Sequence, residues 1–187
     1  MGWTHYSGPA SAFPPMSTWK TFEQIFNANQ SEMLQTGDTH EDVGRIWNAV
    51  EAAAKEIGVE ERVIFCIIMQ ESTGNVGIGT TTDPGGKATG GLMQAEESPA
   101  FPGKHGLSQA QISAMVTAGT KHFKGNLKQL DDKDTASTIY RALRLYNSGK
   151  INESNLSDGE KATPSYVSDI ANRLQGRTNK DKGRDEL

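Results

Sequence analysis

The chain has 187 residues, 35% of them hydrophobic and 22% charged, with a formal net charge of −4. That length suits one domain with its own core, and the composition is neither disordered nor membrane-like. The negative charge speaks against the basic face of a nucleic-acid binder. No apolar run approaches the roughly 18 residues that a membrane-spanning helix needs.

Residues 1–17 are rich in Pro, Gly and Ser and read as an extended lead-in. They lack the charged-then-apolar layout of a signal peptide. The expectation is a secreted protein whose leader has been replaced by an initiator Met, with a cytoplasmic protein as the alternative. Asn29, Asn152 and Asn155 head N-x-[ST] sequons, about the number chance supplies.

A first helix is expected after Ser17 or Thr18, with Trp19, Phe22, Ile25 and Phe26 at three- and four-residue spacing. A second spans about Glu41 to Ile57, carries a Val43, Ile46, Trp47, Val50, Ala53 stripe and stops at Gly58. A third, from about Glu60 to Gln70, is apolar nearly all round and should be the central buried helix. Cys66 lies inside it and has no partner for an internal disulfide, so it reads as a small buried thiol.

From Ser72 to Gly91 the chain turns to Gly, Thr, Asp and Pro, which signals a loop or small hairpin. Helical spacing returns from Leu107 to Phe123 with Ser108 as a cap, and from Thr135 to Leu145 with Asp134 or Thr135 as a cap. A last helix from about Pro164 to Leu174 ends at Gly176. Residues 177–187 alternate in charge and read as a frayed tail. The closing Arg-Asp-Glu-Leu differs from an endoplasmic-reticulum retention signal at its first position. The expected fold is mainly α: one helical domain, 1–187, with a Gly/Thr-rich loop or small hairpin between its helices.

The chemistry is expected at Glu71, where the most apolar helix meets that excursion. Desolvation beside Ile67, Ile68 and Met69 would raise a carboxyl's pKa, as a general acid near neutral pH requires. A glutamate at a helix end is more often a solvated surface group, so further features have to carry the case. Asp83, Glu96 and Glu97 follow as possible second carboxylates. Gly90-Gly-Leu-Met-Gln94 can approach a bound sugar closely and offer hydrogen bonds, and Tyr146 can stack on a sugar face or reach the acid. Each has a plain alternative: Asp83-Pro84-Gly85 as a turn, Gly90-Gly91 as a bend, Tyr146 as core.

Glu71-Ser72-x-Gly74, Gly91-Leu-Met-Gln94, Tyr146-Asn-Ser-Gly149 and Thr163-Pro-Ser-Tyr166-Val, in this order, resemble the goose-type lysozyme and soluble lytic transglycosylase family. Arg144-Leu-Tyr-Asn-Ser-Gly and Ser168-Asp-Ile-Ala-Asn-Arg-Leu-Gln-Gly are also similar to fungal lysozyme-like proteins of that superfamily. The resemblance implies a lysozyme-like helical domain whose Gly/Thr-rich loop lines a substrate groove, with Glu71 as catalytic acid. It implies Asp83 and Glu96 as candidates for a water-activating base, and substrate contacts from Ser72, Gly91, Met93, Gln94, Tyr146, Asn147 and Tyr166. The two carboxylate candidates favour inverting hydrolysis, which needs carboxyls about 6.5–9.5 Å apart.

The implied substrate is a β-1,4-linked N-acetylhexosamine polymer, peptidoglycan before chitin, cut by a monomer with no cofactor. Lytic transglycosylation by Glu71 alone and non-catalytic glycan binding are the alternatives. A metal is not expected: His5, His40, His105 and His122 are dispersed, with no H-E-x-x-H pair. Asp131-Asp132-Lys133-Asp134 lacks the glycine and closing glutamate of a calcium loop and reads as a helix-capping turn.

Overall fold

The computed structural model describes residues 2–83 and 85–183. It is mainly helical, with α1 Phe22–Gln35, α2 His40–Ala53, α3 Glu61–Ser72, α4 Gln109–Gln129, α5 Ala136–Ser148 and α6 Tyr166–Leu174. A three-stranded antiparallel sheet, β1 Thr81–Thr82, β2 Ala88–Gly90 and β3 Ala95–Glu96, lies between α3 and α4 in the chain. The chain forms two compact units: Asn29–Lys124, and Met1–Ala28 with Gly125–Leu187.

The Asn29–Lys124 unit is organised on α3. Every residue from Val63 to Met69 is buried, the six from Val63 to Ile68 at 0% exposure. Each fully buried side chain of that size stabilises by about 1.5–3 kcal/mol relative to exposure, so this helix is held by burial on all sides. Thr39 caps α2 through a capping box with Asp42. The expected run to Ile57 is present, but its last turn is a π turn, Ala54–Gly58. α4 runs six residues beyond the expected Phe123, and the Gly/Thr excursion contains β1 and β2, with β3 just past its end.

In the other unit the N-terminal segment is a strap fastened to α5 and α6. The amide of Thr4 donates to Asn172 Oδ1 (2.9 Å), that of Tyr6 to Ser168 Oγ (2.9 Å) and that of Gly8 to Asn155 Oδ1 (3.0 Å). Trp19 Nε1 donates to the Tyr140 hydroxyl, whose ring also packs on Phe13 with centroids 5.3 Å apart. Where sequence spacing places a helix from Trp19, the chain makes a 3-10 turn, Met16–Thr18, and enters α1 only at Phe22. Trp19 and Phe13 are core residues of the strap.

The tail differs from expectation as well. Arg177 and Thr178 are buried, Arg177 donates to Asn172 Oδ1 at 2.7 Å, and Asn179–Asp181 forms a capped 3-10 turn. Charge alternation concealed this, because Arg177 is used inside. Arg184 to Leu187, with the retention-like tetrapeptide, lie outside the described residues.

Candidate active site

Glu71 occupies the last turn of α3 and is half-buried. The helix stops two residues later because Thr73 turns left-handed (φ 56°) while its amide still reaches Met69 O. Ser72 secures this end: its buried hydroxyl donates to Ile68 O (3.0 Å) or Leu92 O (2.8 Å) and accepts the Gly74 amide (3.2 Å). Ser72, a candidate sugar contact, thus spends its hydroxyl on the protein. It joins the acid's helix to the Gly91–Gln94 segment.

That segment is a tight corner. Gly91 has φ 71°, and a Cβ there would lie 2.4 Å from Ser98 Oγ. Leu92 and Met93 are fully buried, Met93 lying so close to α4 that a Cβ on Gly119 would sit 2.3 Å from its own Cβ. The half-buried Gln94 donates to Gly91 O (2.9 Å) and Gly79 O (3.2 Å) and accepts from Thr81 Oγ1 (2.9 Å), which ties β1 to the corner. Gly91 and Met93 therefore shape the backbone, and Gln94 is the member of the motif with a partly open side chain.

Asp83 and Glu96 meet at the edge of the sheet, with Lys87 between them. Asp83 closes the β1–β2 hairpin: its amide donates to Lys87 O, and Asp83 Oδ1 accepts the Lys87 amide, both at 2.8 Å. The Lys87 amide, with the Gly85 amide and the Lys87 ammonium beside it, holds the Asp83 carboxyl below the usual range. Lys87 Nζ reaches Glu96 Oε2 at 3.0 Å, and that contact raises the lysine. Glu96 also lines a cleft of about 750 Å³ on α4, opposite Thr117, Lys121 and His122. Burial pushes the His122 imidazole down, so it faces the cleft neutral near pH 7.

The loop after Glu71 is held from behind, by residues that sequence spacing did not single out. The Val76 amide donates to Asp38 Oδ1 (3.0 Å), and His105 Nδ1 lies 3.1 Å from the same oxygen. Burial pushes the Asp38 carboxyl up to about 6. Burial also pushes Asp42 upward, but the amides of Gly106, Thr39 and Leu107 outweigh it and hold that carboxyl low.

In the unit of residues 1–28 and 125–187, Tyr146 (9% exposed) and Tyr166 (2%) are core residues, whereas Asn147 is half-buried. Arg144, fully buried, organises this corner. Its Nη1 donates to Thr163 O (3.0 Å) and Leu156 O (3.3 Å), and its Nη2 to Asn147 Oδ1, which also accepts the Thr163 amide. The Tyr146-Asn-Ser-Gly and Thr163-Pro-Ser-Tyr motifs are thereby joined. The sequence displayed Arg144 inside a motif without saying that it was buried.

A family model described as the transglycosylase SLT domain matches residues 48–167, a span that holds Glu71, the Gly91 corner and the Tyr146 motif. The chain belongs to that family, and with it to the lysozyme-like superfamily. No curated protein matches the chain closely enough to serve as a relative.

Proposed function

We propose that the protein cleaves the β-1,4 bonds of peptidoglycan as a lytic transglycosylase, with Glu71 as both acid and base. The observation that carries this choice over hydrolysis is the position of Asp83. A carboxyl spent on the Lys87 amide and held below the usual range is stabilised as the anion, and such an anion draws a proton weakly from an attacking water. Transglycosylation needs no second carboxylate. Glu71 protonates the glycosidic oxygen as the bond to C1 breaks, then takes the proton from the C6 hydroxyl of the muramyl residue as that oxygen closes on C1. Membership of the transglycosylase SLT family supports the same choice. A wall-directed enzyme meets its substrate outside the membrane, so secretion belongs to this proposal too.

Inverting hydrolysis, the goose-type alternative, is favoured by one observation, the half-buried Glu96 on the α4 cleft. Mass spectrometry of digested peptidoglycan separates the readings. We expect 1,6-anhydromuramyl products, lighter by one water than reducing-end sugars, and a loss of about 10²–10⁴-fold in Glu71→Gln. Reducing-end products would give the reaction to hydrolysis. Turnover by Glu71→Gln close to wild type would remove Glu71 from the mechanism.

A further inference from the structure

Asp38, Asp42 and His105 lie far apart in the sequence, yet one donor atom from each comes within 4.8 Å of the other two. They arrive on three segments: the turn before α2, the first turn of α2, and the loop that leads into α4. Both aspartates are buried, and among the described residues His105 is the one basic side chain in contact with either. Two carboxylates in a buried space repel each other and need a positive partner.

The hydrogen bonds show where that partner is missing. Asp42 Oδ2 accepts the Thr39 and Gly106 amides at 2.9 and 2.8 Å, and its Oδ1 accepts the Leu107 amide at 2.9 Å. Asp38 Oδ1 takes the Val76 amide and faces His105 Nδ1. Among the described residues Asp38 Oδ2 has no hydrogen-bond partner, although the Asp38 side chain is 0% exposed. A buried carboxylate oxygen with no donor costs the protein its desolvation free energy unless something else fills the place.

We propose that Asp38, Asp42 and His105 form a binding site for one divalent transition-metal ion, Zn²⁺ foremost. Two carboxylate oxygens and an imidazole nitrogen are a donor set that suits Zn²⁺ or Mn²⁺, whereas Ca²⁺ and Mg²⁺ take oxygen almost throughout. The ion takes Asp38 Oδ2, the open side of Asp42 Oδ1 and His105 Nδ1, with water in the remaining position. Metal binding needs these ligands deprotonated, so any proton carried by Asp38 or by His105 Nδ1 leaves to solvent on binding. His105, with 26% of its side chain exposed, gives the ion its way in and is the ligand best able to close on it. Its role is structural: it ties the Val76 amide, and with it the loop after Glu71, to the start of α2.

The test uses the whole chain, stripped with a chelator and titrated with ZnCl₂, MnCl₂, CaCl₂ and MgCl₂ by calorimetry and thermal unfolding. We expect one Zn²⁺ per chain and a midpoint raised by about 5–10 °C at a hundredfold excess over Kd, with Ca²⁺ and Mg²⁺ much weaker. Asp38→Asn, which keeps an acceptor for the Val76 amide, and His105→Gln, at a partly exposed position, should each fold and lose that equivalent of Zn²⁺. Two results would overturn the site: no stoichiometric ion at millimolar metal, or unchanged stoichiometry in both variants, which would place binding at other histidines. A metal-free Asp38→Asn more stable than a wild type that binds nothing would assign the charge balance to a proton instead.

Discussion

The Arg144 corner and the Asp83 hairpin are both built from polar contacts, but of opposite range. Around Arg144 and α6 the hydrogen bonds are buried or part-buried and join distant stretches of chain: Thr4 to Asn172, Trp19 to Tyr140, Arg144 to Leu156 and Thr163. In the hairpin the locks are local and exposed, with Asp83 on Lys87 and Thr81 on Thr89. Solvent replaces an exposed partner at little cost, and it cannot reach a buried one. The first region should therefore lose much when one side chain is cut, and the second little unless the backbone itself is obstructed.

Arg144→Met tests the sharper half of that contrast. It leaves Leu156 O, Thr163 O and Asn147 Oδ1 short of donors, and we expect a loss of about 3–5 kcal/mol by urea unfolding. Arg144→Lys should recover only part, since an ammonium cannot span the same acceptors. A loss under about 1 kcal/mol would break the comparison.

Gly91→Ala tests the exception in the hairpin region. With φ at 71° and Ser98 Oγ 2.4 Å from the new Cβ, about 2–3 kcal/mol should be lost. The Glu71 end of α3 should loosen with it, visible as faster amide exchange at Ser72 and Gly74, because Ser72 holds Leu92 O.

Asp83→Asn should do least. The amide oxygen can still accept from Lys87 N, so melting curves should superimpose on wild type. Activity should stay within a few-fold. A deep loss of activity with an unchanged melting curve would return Asp83 to the mechanism and hydrolysis to first place.

The helices were largely legible in the chain because burial in α2 repeats at helical spacing, α3 is one continuous apolar run, and α5 begins after its Thr135 cap. Boundaries missed where a side chain was bound to something far off. Trp19 reads as part of a helix yet belongs to the strap, and Arg177 reads as tail yet donates to the Tyr6 hydroxyl. Among the candidate contacts, Ser72, Met93, Tyr146 and Tyr166 are buried, while Glu71, Gln94 and Asn147 keep partly open side chains.

By itself the sequence determined the mainly helical class, the central helix and the position of Glu71 at its end. All three follow from local apolar patterning, periodic in the outer helices and continuous in the central one, which acts over a few residues. Only the tertiary structure decided that Asp83 closes a turn beside Lys87 and Glu96, that Arg144 is a buried hub, and that Asp38, Asp42 and His105 converge. A carboxylate's chemistry depends on which donors and charges lie within a few ångströms, and chain folding, not spacing along the chain, supplies those neighbours.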